Sequence, residues 1–179
     1  MTGRRARSSS GGRPAEAPDA SAGTLRRVTA APGETERLGE ALAAALCAGD
    51  VIVLTGPLGA GKTRLVAGLA RGLGVAARVR SPSFTLLNEY RGTLALHHLD
   101  LYRLEGADTD GLGLEEVVEE GVLVAEWGEK LPGWLRADAL VLRFEVLGES
   151  ERAVTAEAVG PRGLALLEAW RGLPAGEAR

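Results

Sequence analysis

The most informative part of this chain is the run from residue 51 to residue 63, which reads Val51-Ile52-Val53-Leu54-Thr55-Gly56-Pro57-Leu58-Gly59-Ala60-Gly61-Lys62-Thr63. Its apolar start has no polar alternation, which is typical of a strand buried on both faces in a mostly parallel sheet. A glycine-rich segment follows, and apolar residues then recur at helical spacing from Leu65 to Leu73. The order is therefore strand, loop, helix.

The glycine-rich segment fits the pattern G-x-x-x-x-G-K-T of a phosphate-binding loop. Glycines let successive backbone N–H groups converge on phosphate oxygens, and the following helix presents its positive end to the same anion. Lys62 is placed to reach the β- and γ-phosphates, and the Thr63 hydroxyl is the expected Mg²⁺ ligand. The expected nucleotide-binding positions here are Gly56, Gly59, Ala60, Gly61, Lys62, Thr63 and Arg64. A chance glycine-rich turn is the alternative, and the flanking strand and helix argue against it.

Two acidic residues end predicted strands further along the chain. Asp100 closes the run that begins at Leu94, and Glu126 closes the run that begins at Val122. Side chains at such strand ends point into the crevice at the carboxyl edge of an α/β sheet, where either acid could hold the metal. Taken singly, each could instead be a turn residue or a solvated edge residue. A Mg²⁺-nucleotide site requires such acids, so the phosphate loop favours the functional interpretation.

Other polar residues of the middle region give weaker signals. The hydroxyls of Ser81-Pro82-Ser83-Phe84-Thr85 could contact phosphate or the metal, although an ordinary polar loop fits equally well. His97 and His98 are adjacent, so on a strand they face opposite sides and cannot share a metal ion.

The remaining segments define the fold class. Further elements are predicted at Leu25–Thr29 (strand), from Thr35 toward Gly49 (helix), Leu112–Glu120 (acidic helix), Leu140–Val146 and Ala153–Val159 (antiparallel strands), and Arg162–Trp170 (helix). Together they predict an α/β, three-layer P-loop NTPase fold. Its central sheet is expected to be mostly parallel, with helices on both faces and antiparallel C-terminal strands.

Composition predicts one domain, at residues 24–171, between two tails. Residues 1–23 are rich in Arg, Ser, Gly and Pro without apolar periodicity and predict a disordered tail, and residues 172–179 predict a frayed C-terminal tail. A net charge of −3 argues against sequence-independent nucleic-acid binding. No apolar run is long enough to span a bilayer. These features, with the single Cys47, predict a cytoplasmic protein.

Four motifs, in this order and spacing, resemble those of the bacterial tRNA threonylcarbamoyladenosine biosynthesis ATPase family, TsaE. They are Gly56-Pro57-Leu58-Gly59-Ala60-Gly61-Lys62-Thr63, Ser81-Pro82-Ser83-Phe84-Thr85-Leu86, His98-Leu99-Asp100-Leu101-Tyr102-Arg103-Leu104 and Glu126-Trp127. The resemblance covers roughly Thr24 to Trp170. The first motif is shared by many unrelated proteins, whereas the later three in this order are specific.

The resemblance implies a small ATPase that uses ATP and Mg²⁺ and works with the proteins TsaD and TsaB. That machinery attaches a threonylcarbamoyl group to N6 of adenosine 37 in tRNAs reading codons that begin with A. ATP hydrolysis by the small ATPase supports turnover of the complex, and the protein meets tRNA only through that complex. The threonylcarbamoyl transfer itself takes place elsewhere.

The resemblance also implies roles for single residues. Lys62 would bind phosphate, Thr63 and Glu126 would bind Mg²⁺, and Asp100 would serve the metal and the catalytic water. Thr35 matches a position near the adenine, and Arg152 matches a late arginine near the nucleotide. Two positions depart from the family pattern without removing a phosphate or metal ligand, namely Pro57, where an acidic residue is common, and Ser83, where threonine is usual.

Two other functions fit the phosphate loop. A small-molecule kinase would use the same loop for phosphoryl transfer, although no arginine-rich lid segment follows the strand-end acids. A nucleotide-gated binding module would bind ATP tightly without hydrolysing it. Detection of a phosphorylated product would identify the kinase, and absence of hydrolysis even with partner proteins would identify the binding module.

Overall fold

A computed structural model of the chain describes residues 24–82, 84–104 and 109–173. The predicted N-terminal tail, Ser83 and residues 174–179 of the predicted C-terminal tail lie outside these ranges. The strands are β1 (Thr24–Thr29), β2 (Val51–Thr55), β3 (Leu87–Arg91), β4 (Ala95–Asp100), β5 (Gly121–Glu126), β6 (Ala139–Val146) and β7 (Arg152–Val159). The α-helices are α1 (Pro32–Ala43), α2 (Lys62–Gly72), α3 (Leu114–Glu120), α4 (Gly133–Arg136) and α5 (Gly160–Gly172). Short 3-10 helices lie at Asp110–Leu112 and Gly128–Lys130.

The strands form one mixed sheet in the order β1-β7-β6-β2-β5-β4-β3. The central strands β6, β2, β5 and β4 are parallel to one another, whereas β1, β7 and β3 pair antiparallel with their neighbours. The predicted antiparallel pairing of the C-terminal strands is confirmed. The prediction of a mostly parallel central sheet holds for these four strands, whereas the sheet as a whole is mixed because its outer pairings are antiparallel. Strand β3 follows this pattern because a short turn joins it to β4, and such a turn permits only antiparallel pairing.

Helices cover both faces of the sheet, as predicted. Helices α1, α2 and α5 pack on one face around Leu42, Leu69 and Trp170. Helices α3 and α4 pack on the other face around Leu114 and Leu135. Every position of β5 and the first four positions of β2 are buried, which explains the continuous apolar runs at the centre of the sheet.

Helices α1 and α2 approach one another at backbone contact distance through glycines. A Cβ atom added to Gly68 would lie 1.9 Å from the carbonyl oxygen of Glu36, and one added to Gly39 would lie 2.2 Å from that of Leu65. Glycine is required at such points because any side chain would force the helices apart. The contact fixes α2, and with it the loop that precedes α2, against the rest of the fold.

Helix α1 ends at Ala43, earlier than the sequence predicts. The segment before β2 turns instead, because the Asp50 carboxylate accepts a 2.8 Å hydrogen bond from the Cys47 N–H. The same buried carboxylate accepts hydrogen bonds from the guanidinium of Arg162 at the start of α5. Local side-chain capture of backbone N–H groups favours a turn over a continued helix.

Candidate functional site

The loop between β2 and α2 lies at the carboxyl edge of the parallel strands. Gly56, Gly59 and Gly61 have φ angles of +126°, +76° and +101°. Glycine reaches these left-handed conformations without the strain that a side chain would cause. In the described part of the chain no side chain caps the N-terminus of α2, so the positive end of that helix faces the loop.

Lys62 is folded into the loop. Its side-chain nitrogen donates hydrogen bonds to the carbonyl oxygens of Gly56, at 2.7 Å, and Pro57, at 3.0 Å. The same nitrogen lies 4.6 Å from the centroid of the Trp127 ring. Burial lowers the pKa of Lys62, and the nearby charges of Glu126 and Asp100 partly oppose this effect. The loop thus holds a desolvated cation whose partners are neutral carbonyl dipoles and an aromatic face.

Glu126, at the end of β5, is joined to the loop helix and to β4. Its Oε1 accepts a 2.6 Å hydrogen bond from the Thr63 hydroxyl. The same oxygen lies 3.0 Å from Nε2 of His98. All three side chains meet on the face of the sheet covered by α2, and Glu126 is only 5% exposed. A buried carboxylate with two polar partners is held in a defined orientation.

Asp100 ends β4 directly beside Glu126 in the register of the two parallel strands. One oxygen of its carboxylate accepts a hydrogen bond from the Ser81 hydroxyl, and the other accepts one from the Tyr102 N–H, both at 3.0 Å. Neighbouring strands lie about 4.8 Å apart, so the two acids are adjacent at the sheet edge. The structure therefore brings Lys62, Thr63, Asp100 and Glu126 together, as the sequence predicts.

A cavity of about 760 Å³ opens over these residues. Its wall contains loop residues 58–64 together with Ser81, Asp100, Tyr102, Glu126 and Trp127. This volume lies within the usual range for small-molecule and cofactor sites, about 300–1,000 Å³. Arg64 also lines the cavity, where its guanidinium forms a 2.9 Å ion pair with Glu36.

Thr35 and Arg152 lie at the same edge of the sheet but not in the cavity wall. The Thr35 side chain is buried, and its hydroxyl shares a 2.9 Å hydrogen bond with that of Thr29. Arg152 is bonded to carbonyls of its own hairpin, and one of its nitrogens lies 3.4 Å from the Gly59 carbonyl oxygen. The Arg152 side chain thus contacts a backbone carbonyl group of the loop.

The oxygen atoms of Thr63, Asp100 and Glu126 are the ligand type that Mg²⁺ prefers. In the described residues, no group of three or more histidine, cysteine, aspartate or glutamate side chains could hold a metal ion by itself. This is compatible with Mg²⁺, which is commonly bound through one or two carboxylates together with waters and nucleotide phosphates. The residues present therefore fit a metal held jointly with a nucleotide.

The sequence alone missed several parts of the site. Trp127, to which the sequence assigns no role beyond its place in the Glu126-Trp127 motif, contacts Lys62, and its ring centroid lies 5.1 Å from that of Tyr102. Lys130 donates hydrogen bonds to the carbonyls of Leu101, Tyr102 and Leu104, and so organises the segment after Asp100. The one sequence signal for these contacts is the position of Trp127 next to Glu126.

Comparison with known proteins gives one consistent result. The family described as "Threonylcarbamoyl adenosine biosynthesis protein TsaE" matches residues 29–154. That span includes the loop, Asp100, Glu126 and Arg152. The chain belongs to the TsaE family. The resemblance drawn from the four motifs is thereby confirmed.

Individual relatives of the TsaE family match this chain over most of their own length. The "tRNA threonylcarbamoyladenosine biosynthesis protein TsaE" of Bacillus subtilis (strain 168) is 41% identical over 140 residues, which are 77% of this chain and 88% of that protein. The protein of the same name from Mycobacterium tuberculosis (strain ATCC 25618 / H37Rv) is 42% identical over 142 residues, which are 73% of this chain and 82% of that protein. The crystal structure of Bacillus subtilis YdiB superimposes with a TM-score of 0.69 at 36% identity, covering 83% of this chain and 94% of that chain.

Within the described residues, no helix combines the length and the apolar character needed to cross a membrane.

Proposed function

We propose that this TsaE-family protein binds and hydrolyses ATP with Mg²⁺, as a P-loop NTPase. We further propose that this activity is required for threonylcarbamoylation of adenosine 37 in tRNAs reading codons that begin with A. The observation that carries the proposal is the contact between Thr63 and Glu126, because it joins the phosphate loop to a strand-end carboxylate. Membership in the TsaE family supports the role in tRNA threonylcarbamoylation, and the residues of the site support ATP hydrolysis.

The residue roles follow from position. Lys62 and the loop N–H groups bind the phosphates, which compensate the buried ammonium better than carbonyl dipoles do. Thr63 and Glu126 hold Mg²⁺, and when bound the ion supplies positive charge that stabilises the phosphates during hydrolysis. Asp100 ends the neighbouring strand β4, its carboxylate accepts a hydrogen bond from Ser81, and in this proposal it orients the attacking water. Thr35 and Arg152 would act from outside the cavity wall, Thr35 near the base and Arg152 beside the loop.

The partners in this proposal are TsaD and TsaB, in the cytoplasm, with tRNA met only through their complex. Hydrolysis by this protein supports turnover of the complex and does not transfer the threonylcarbamoyl group. A rate of hydrolysis that changes when the partners are added is the expected behaviour of such a subunit.

The test uses a bacterial strain depleted of its own TsaE protein. Wild-type protein should restore the modified adenosine in tRNA, measured by mass spectrometry of nucleosides, whereas Lys62→Ala should not. Purified protein should release phosphate from ATP at a rate altered by TsaD and TsaB. Full restoration by the Lys62→Ala variant, or a hydrolysis rate indifferent to the partners, would overturn the proposal. Appearance of a phosphorylated small molecule without net phosphate release would indicate a kinase instead.

A further inference from the structure

We propose that His98 is a positioning residue for the metal site: its Nε2–H group holds one oxygen of the Glu126 carboxylate and so presents the other oxygen to Mg²⁺. The inference rests on the function proposed above, because it concerns the metal that accompanies the nucleotide. His98 itself contacts neither the nucleotide nor the metal in this scheme.

The first argument is the geometry of the shared oxygen. Nε2 of His98 lies 3.0 Å from Oε1 of Glu126, and the Thr63 hydroxyl donates to the same oxygen at 2.6 Å. A carboxylate oxygen only accepts, so the favourable tautomer carries its proton on Nε2. In the described part of the chain, no hydrogen bond reaches Oε2 of Glu126. One oxygen is therefore held by two donors while the other is left for a further ligand.

The second argument is the cost of placing a histidine at this position. His98 is fully buried, and its Nδ1 has no hydrogen-bond partner among the described residues. Its neighbours on the same face of the sheet include Leu96 and Val124, which fill equivalent space without an unpaired polar atom. Burying an apolar residue here would cost less free energy than burying a histidine with an unpaired nitrogen. The compensation found in the structure is the hydrogen bond to Glu126.

His97 supplies an internal comparison. It is also buried in β4, at 3% exposure, and its Nε2 also has no partner among the described residues. Because successive side chains of a strand point to opposite faces, His97 lies on the face away from Glu126. The two histidines are therefore alike in side-chain type, strand and burial. They differ in that His98 contacts Glu126 and His97 does not.

The consequence for the metal is a preorganised carboxylate. Residues that orient a metal ligand through a hydrogen bond typically contribute about 10- to 100-fold to metal affinity. Among the described residues, loss of the His98 donor should leave Thr63 as the remaining donor to the Glu126 carboxylate, which then samples orientations unsuited to the metal. Binding of the nucleotide without metal should not depend on His98, because its phosphates are held by the loop.

The experiment compares His98→Leu, His98→Asn and His98→Gln with His97→Leu in the full chain. The glutamine amide nitrogen can approach the position of Nε2, whereas the shorter asparagine and the apolar leucine cannot supply that donor. Mn²⁺ binding to the protein–ADP complex is measured by electron paramagnetic resonance, and ADP binding without metal by calorimetry. Thermal unfolding checks that each variant is folded. If His98→Leu is not folded, His98→Asn is used in its place.

We expect Mn²⁺ affinity to fall by about 10-fold or more in His98→Leu and His98→Asn, and to be retained within about threefold in His98→Gln and His97→Leu. Metal-free ADP binding should be unchanged throughout. Unchanged Mn²⁺ affinity in His98→Asn would overturn the inference, because it would show that the Nε2–H donor is not needed. An equal loss in His98→Gln would also overturn it, because it would show that packing and not the donor matters. Failure of the wild-type protein to bind Mn²⁺ with ADP would instead overturn the proposed function.

Discussion

A hydrogen bond of 2.6 Å joins Oγ1 of Thr63, in the first turn of α2, to Oε1 of Glu126, at the end of β5. The two residues are 63 positions apart in the sequence. The bond exists because β2 and β5 are parallel neighbours, so the loop that follows β2 and the last residue of β5 reach the same edge of the sheet. It links the phosphate loop to the acid that would share its metal.

Removal of the loop ammonium should strongly weaken nucleotide binding without unfolding the protein. For Lys62→Ala we expect ATP affinity to fall by at least about 10-fold, because hydrogen bonds to charged groups contribute roughly 1.5–3 kcal/mol. Calorimetric titration with ATP measures the change, and circular dichroism checks the fold. Arg91→Ala is the matched control, since it removes an exposed cation that is paired with Glu89. Undiminished ATP binding by Lys62→Ala would refute the assignment of the loop.

Neutralising either strand-end acid should separate binding from hydrolysis. In Glu126→Gln and Asp100→Asn we expect ATP still to bind, while hydrolysis falls by about 10²-fold or more because charge stabilisation at the reacting phosphate is lost. Single-turnover phosphate release with saturating ATP measures the step. Glu157→Gln, an exposed acid on β7, should behave as wild type. An acid whose variant retains hydrolysis does not belong to the site.

The affinity for ATP should depend on pH through Lys62. Burial lowers the pKa of this lysine, and the charged form is the one that binds phosphate. The affinity for ATP should therefore decrease as pH rises through a value below the ordinary pKa of lysine, which is about 10.4. Lys62→Arg should shift the decrease to higher pH, because the guanidinium keeps its proton. Superimposable pH profiles for the two proteins would show that Lys62 is not the titrating group.

The glycine contact between α1 and α2 should be essential for stability. In Gly68→Ala the new methyl group would meet the Glu36 carbonyl oxygen, and the helices would have to separate. We expect a loss of about 2–3 kcal/mol, equivalent to a decrease in Tm of roughly 5–10 °C. Differential scanning calorimetry measures the shift. Gly133→Ala, where nothing lies within 4 Å of the added Cβ atom, is the control, and an equal shift in both variants would contradict the packing argument.

The centre of the site could be predicted from sequence because each of its parts has a local signature. The apolar run at Val51 and the glycines that follow it reflect the burial and backbone conformation of those residues themselves. Asp100 and Glu126 were recognisable because each directly ends a buried strand, and parallel strands end at one edge of a sheet. Family membership followed from the order of the motifs, which is itself a property of the sequence.

From the amino-acid sequence alone one thus obtains the strand, loop and helix around Lys62, the two acids, and the family to which the chain belongs. The assembled fold was needed to establish that β1 and β3 pair antiparallel with their neighbours, that Thr35 is buried against Thr29, and that His98 rather than His97 reaches Glu126. The physical reason is distance along the chain. Periodicity and turn chemistry are encoded by neighbouring residues, whereas pairing partners and the meeting of side chains depend on elements that come together only when the sheet is assembled.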